Sequence, residues 1–214
     1  MKNYTLLLLA LFAVSCDFSQ KAGQSLNKEK QRIPGRIECE YYDKGGEGIA
    51  YHDTDSINNG SGRLNPANGT FLNEFRMNEG VDISYTKTGG YDDNPYNRVA
   101  RDSSQLYVGW TVPGEWINYT VKVTETAVYR LGVMYTANGD GAISLDIDGQ
   151  PVTAPLKISS THDDRDTVAW RQWHHWNKAD SLMSIKISKG IHKLTLHIVD
   201  HGQMNFDYLE FTKE

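Results

Sequence analysis

From Ile37 onward, apolar and polar positions alternate with a period of two. In the run Glu115 to Val123, Ile117, Tyr119, Val121 and Val123 share one face, and Trp116, Asn118, Thr120 and Lys122 take the other. Ile143, Leu145 and Ile147 alternate with Ser144 and Asp146. His192, Leu194, Leu196 and Ile198 oppose Lys193, Thr195, His197 and Val199. A last strand is predicted over Met204 to Phe211. Turn pairs separate these runs, among them Asn59-Gly60, Asn138-Gly139, Asp148-Gly149 and Lys189-Gly190. No segment shows sustained helical spacing. About eight to eleven short strands with turns between them predict an all-β chain, a β-sandwich or jelly roll. The stretch from Gly60 to Arg101 is polar, with only Val81 to Tyr85 strand-like. A loop region that long in a compact domain is usually functional.

The chain has 214 residues, and its N-terminus reads differently from the rest. Met1-Lys2 precedes an apolar run from Leu6 to Val14, then Ser15 and Cys16. That is a secretory leader, too short to span a bilayer. Ala13-Val14-Ser15-Cys16 resembles a bacterial lipobox, which implies cleavage before Cys16 and lipidation of that residue. An ordinary signal peptide with a cysteine near its cleavage region is the plainer alternative. Residues 16–33 are polar and aperiodic, and read as a flexible tether. Residues 34–214 have the size of one domain with a real core. The expected location is therefore the bacterial cell envelope, lipid-anchored at the outer membrane, with the displayed face left open.

Two cysteines and a net charge of −5 narrow the chemistry. With Cys16 lipidated, Cys39 has no partner and behaves as a small buried hydrophobe. No basic block points to nucleic acid. Aromatics reach 11%, with 12 Tyr and 5 Trp. A sugar ring offers an apolar C–H face and a rim of hydroxyls, so its site needs a flat aromatic and a few fixed polar groups. The segment Ala169 to Trp176 (AWRQWHHW) concentrates such rings. On a regular strand Trp170 and Trp176 would share a face and Trp173 would point the other way.

Five segments resemble carbohydrate-binding module family 6, in that family's order: IECEYYD (Ile37 to Asp43), GGEGIAYHDTD (Gly45 to Asp55), NEGVDI (Asn78 to Ile83), VGWTVPGEWINYTVKV (Val108 to Val123) and MNFDYLEF (Met204 to Phe211). The likeness spans about residues 36–214. It implies a jelly-roll β-sandwich, a structural calcium ion and noncatalytic glycan binding, with polysaccharide or oligosaccharide as ligand. By resemblance Trp170 is the sugar platform and Trp173 is core. Asn205 matches the asparagine that bonds sugar hydroxyls, with a turn or capping role as the alternative. Glu47 matches a position for a polar binding group, against a merely solvated carboxylate.

The second aromatic is where the chain departs from the pattern. An insertion, YDDNPYNRVARDSSQLY, separates Gly89-Gly90 from Val108-Gly109-Trp110. Tyr91, Tyr96 and Tyr107 are all candidates for the partner ring, and Tyr107 is preferred because it adjoins the matching strand. Glu38 and Glu40 would leave one face of a strand. Calcium takes six to eight oxygen ligands, and Glu38, Glu40 and Asp207 match the family's calcium ligands.

No catalytic signature is present: no G-x-S-x-G elbow, no P-loop, no C-x-x-C. Adjacent His174 and His175 would point to opposite faces of a strand, which opposes a shared zinc. The expectation is a membrane-anchored, nonenzymatic glycan binder that works beside separate glycan-degrading enzymes. A small β-sandwich glycosidase or lyase, and an adhesion or assembly protein, are the rival classes.

Overall fold

The computed structural model describes residues 24–26, 30–101 and 103–214. The leader, Cys16 and most of the tether lie outside the described residues. The strands, in chain order, are β1 (Gln31–Ile33), β2 (Gly35–Glu38), β3 (Tyr51–His52), β4 (Ser61–Gly62), β5 (Asn65–Pro66), β6 (Ile83–Tyr85), β7 (Leu106–Val108), β8 (Trp116–Val123), β9 (Ala127–Ala137), β10 (Gly141–Ile147), β11 (Gln150–Pro151), β12 (Leu156–Ile158), β13 (Asn177–Ile187), β14 (Gly190–Asp200) and β15 (Met204–Lys213). One α-helical turn, α1 (Phe71–Glu74), joins them.

The long strands build two sheets. One runs β1-β8-β14-β10-β11, with β3 added beside β8 and β12 beside β10. The other runs β13-β9-β15-β7-β6, with β2 beside β15. Successive strands β8, β9 and β10 alternate between the sheets, as do β13, β14 and β15. That alternation is the jelly-roll form of a β-sandwich. The period-two positions do what the pattern predicts. Ile117, Tyr119, Val121 and Val123 of β8 and Leu194, Leu196 and Ile198 of β14 are buried. They meet Leu131, Val133, Leu209 and Phe211 from the opposite sheet in one core.

One boundary differs from the sequence reading. Gln31, Arg32 and Ile33, expected to end the tether, pair in parallel with Val121, Lys122 and Val123. Ile33 is fully buried, so an apolar side chain within reach of an open edge is drawn into the sheet. The loops that matter lie between β6 and β7 and between β12 and β13. They pack against each other at one end of the second sheet.

Candidate functional site

Trp170 sits on a single 3-10 turn, Ala169–Arg171, and is 54% exposed. Tyr91, at the head of the insertion, is 49% exposed. Their ring centroids are 5.5 Å apart and the planes are tilted by 33°. Side chains behind the rings fix this pair. Arg171 donates from Nη1 to the Gly90 carbonyl. Its Nε and Nη2 reach the buried Asp166 carboxylate at 2.6 and 2.7 Å. His175 Nε2 approaches the same carboxylate at 2.9 Å. The Arg171 guanidinium, helped by His175, holds the Asp166 carboxyl well below the usual range. Tyr96 closes the arrangement: its ring stacks on His175 at 5.3 Å and its hydroxyl donates to the Arg165 carbonyl at 2.8 Å.

The geometry makes a plate rather than a clamp. Carbon surfaces in contact lie about 3.5–4.0 Å apart, so a sugar between two rings needs roughly twice that separation. Tyr91 and Trp170 touch each other instead. Each ring is about half exposed, so the pair presents aromatic surface to solvent.

Other expected site residues lie elsewhere. Tyr107 is 4% exposed and packs edge-on against Trp176 at 5.2 Å and beside His174 at 5.7 Å. Burial pushes its phenol up, with the Asp92 charge adding to the effect. It is core, so it cannot be the partner ring. Asn205 is 1% exposed. Its Oδ1 accepts from the Trp110 backbone N–H at 3.0 Å, and its Nδ2 reaches Thr136 Oγ1 and His174 Nδ1, each at 2.9 Å. Both of its amide donors are engaged inside the protein.

The tryptophan assignment also changes. Residues 169–176 form a turn, not a strand, so strand alternation does not govern them. Trp176 is the fully buried ring, while Trp173 is only half-buried, edge-on to His174 at 5.7 Å. Glu47 is exposed and bonded to its own neighbours: Oε1 lies 2.5 Å from His52 Nδ1 and Oε2 accepts from Asp53 N at 3.0 Å.

A second surface was not foreseen. A groove of about 490 Å³ lies across the outer face of the first sheet, lined by Trp116, Asn118, Asp146, Lys193, Thr195 and His197. Its floor is internally satisfied: Asn118 donates to the Ile49 carbonyl at 2.8 Å and accepts from Thr195 Oγ1 at 2.7 Å. Within the groove, His197 Nε2 has no hydrogen-bond partner and lies 3.1 Å from the Asp146 carboxylate. The outward faces of β8 and β14, read together as neighbours, would have exposed it.

A third cluster joins β2, the following 3-10 turn and β15. Carboxylate oxygens of Glu38, Glu40 and Asp207 all lie within 4.8 Å of one another. The chain turns at Cys39, so Glu40 reaches the group from a 3-10 turn rather than from a continuing strand. Asp207 is aimed there by a bulge in β15 between Phe206 and Tyr208. Burial, then the Asp207 charge, pushes Glu38 up to about 7. Burial pushes Glu40 well above its ordinary value and Asp207 up to about 6, the latter against the Arg101 guanidinium. Glu40 Oε2 is buried without a hydrogen-bond partner. Crowded, desolvated carboxylates with an orphaned oxygen could hold a metal ion, and all-oxygen donors suit a hard cation.

The family described as carbohydrate binding module (family 6) matches residues 75–213. The chain belongs to carbohydrate-binding module family 6. Carbohydrate binding is therefore the function of this family 6 module. The match starts at residue 75, so Glu38, Glu40 and Glu47 lie before it.

Several solved structures resemble the chain. A glycoside hydrolase family 43 arabinoxylan arabinofuranohydrolase from Bacillus subtilis, in complex with cellotetraose, superposes with a TM-score of 0.50 at 14% identity. That likeness covers 87% of the family 6 module and 28% of the enzyme. The C-terminal family 6 module of a marine laminarinase from Zobellia galactanivorans gives 0.46 at 16% identity over 83% of this chain and 98% of that one. A family 6 module from Clostridium stercorarium in complex with cellobiose gives 0.47 at 13% identity, over 88% and 100%. No curated protein matches the sequence significantly.

Proposed function

We propose that this family 6 module holds a polysaccharide or oligosaccharide against the Tyr91–Trp170 plate and does not cleave it. The observation that carries the reading is the contiguous, solvent-facing pair of rings on a braced support. Two aromatic side chains with few rotors present a large contact area at small entropic cost. Glycoside hydrolysis needs two carboxyl groups flanking the bond. The carboxylates behind the plate are committed: Asp166 to Arg171 and His175, and Asp92 to His174 and Trp176. A shallow plate gripping one to three sugars supports a Kd of ~10–1000 μM.

Titration calorimetry against a panel of soluble polysaccharides tests this. Trp170→Ala is expected to abolish measurable binding with the melting temperature unchanged, and Trp116→Ala to leave affinity intact. The groove provides a second reading because of its volume and its Trp116. Loss of binding in Trp116→Ala with retention in Trp170→Ala would move the site there. A reducing-end assay on the same panel is expected to stay flat, and released product would favour the enzyme class.

Calcium is the cation proposed for Glu38, Glu40 and Asp207. It would clip the first strands of the domain to the last one. EDTA is then expected to lower the melting temperature, and excess calcium to restore it. Lipidation at Cys16 would tether the module to the cell envelope, where it would concentrate glycan for separate hydrolases. Cys16→Ala is expected to shift the protein from the membrane fraction to the soluble fraction.

A further inference from the structure

The acidic cluster faces a cation that the chain itself supplies. Arg101 comes from the insertion between Tyr91 and Tyr107, and its side chain is 4% exposed. Its Nη1 lies 2.6 Å from Asp207 Oδ2 and also donates to Gln105 Oε1. Its guanidinium carbon stands 4.6 Å from the centre of the Trp176 ring. The fit is incomplete on both sides. Arg101 Nε and Nη2 are buried with no hydrogen-bond partner, and Glu40 Oε2, in the same cluster, has none either.

A buried guanidinium is costly unless its charge is matched. Here it meets a group of three carboxylates and is in ion-pair contact with Asp207 alone, while the Arg36 guanidinium adds a second, more distant positive charge. A divalent cation would match the carboxylates better, but it would share the Asp207 carboxylate with which Arg101 is already ion-paired. Two cations on one carboxylate at low local dielectric repel strongly. We propose that Arg101 is a built-in counter-ion that competes with the divalent cation for Asp207, so that metal binds only as the guanidinium withdraws. The proposal rests on the calcium reading of this cluster. It makes the affinity for the metal a property of the insertion, because the two occupants exclude each other and each lowers the other's hold by the same factor.

Calcium chloride titrations by calorimetry, on the wild-type domain and on Arg101→Gln, test it. The variant is expected to bind calcium at least tenfold more tightly. Arg101→Lys, which keeps the charge, is expected to stay within a few fold of wild type. Equal or weaker calcium affinity in Arg101→Gln overturns the competition and leaves the calcium site standing. No calcium binding by either protein overturns both readings together. If Arg101→Gln fails to fold, the wild type still decides. The Arg101 Nε–H signal in its 1H–15N spectrum, identified by its loss in Arg101→Lys, is expected to move at saturating calcium. A stationary signal at saturation overturns the proposal.

Discussion

The side-chain amide of Asn205 donates to Nδ1 of His174 across 2.9 Å, and this bond turns inward the residue expected to grip sugar hydroxyls. The orientation of the amide is set from its other end, where Oδ1 accepts from the Trp110 backbone N–H. His174 Nδ1 is therefore an acceptor, and the ring proton sits on Nε2, donated to Asp92 Oδ1 at 2.7 Å. Asp92 belongs to the insertion. The chain Asn205–His174–Asp92 thus fastens the inserted loop to the last strand.

Asn205→Ala is expected to act on stability rather than on recognition. It leaves the Trp110 N–H and His174 Nδ1 without their partner in a buried setting. Each such group costs about 1–3 kcal/mol. Urea denaturation should show a clearly lower midpoint, while the glycan affinity of the folded fraction stays near wild type. A variant with wild-type stability and lost binding would instead return Asn205 to the ligand site.

Asp92 gives the insertion a dependence on acid. Burial alone would raise its carboxyl, but bonds from His174, Trp176 Nε1 and the Lys87 N–H outweigh burial and hold it below the ordinary value. A depressed carboxyl contributes stability that is complete above the unfolded value of about 4 and is lost as pH falls through the folded value. Asp92→Asn is expected to lower the melting temperature at pH 7. The deficit should be smaller at pH 3, below the unfolded value, and should vanish only once the folded carboxyl is protonated as well. Calorimetric melts at both pH values measure it.

The fold was legible where the core is one-sided. Strands β8, β10 and β14 alternate because one face meets the core and the other carries the polar positions of the sheet's outer face. Strand β9 was not singled out: its second half, Leu131 to Ala137, is buried throughout, so no alternation marks it. The site was legible in composition but not in geometry. AWRQWHHW announced an aromatic centre, and Trp170 stands at the surface. Which of its rings turned inward depended on the 3-10 turn braced by Asp166 and Arg171, a contact no local spacing encodes. Tyr107 and Asn205 were misplaced for a similar reason. The insertion supplies Asp92 and Arg101, whose bonds with His174, Trp176 and Asp207 bury what the uninterrupted pattern would leave open.

Gly60 reads as an ordinary turn glycine, yet its role is close approach. A Cβ at this position would land on the Ile83 carbonyl oxygen of β6. The neighbouring Asn58 Oδ1 receives the N–H groups of Gly60, Ser61 and Ile83, which pins the loop against that strand. Gly60→Ala therefore forces backbone to move, an overpacking cost of about 1–3 kcal/mol or more. Its urea midpoint should fall well below that of Gly69→Ala, whose added Cβ meets open space and which bears only the strain of a positive φ.

Asp53 carries the opposite pH dependence. Burial, then the charges of Glu115 and Asp82, pushes it up to about 7. A raised carboxyl means that the folded chain keeps a proton the unfolded chain has released. Stability from this group therefore falls as pH rises from about 4 towards 7, and it is flat above that. Asp53→Asn keeps the oxygen that accepts from Asp55 N at 3.0 Å and removes the strained charge. Its melting temperature should exceed wild type at pH 8 and converge with it near pH 4.5, in EDTA so that the acidic cluster is matched in both proteins. A gap that widens on acidification would show that Asp53 is ionised and favourably paired in the fold.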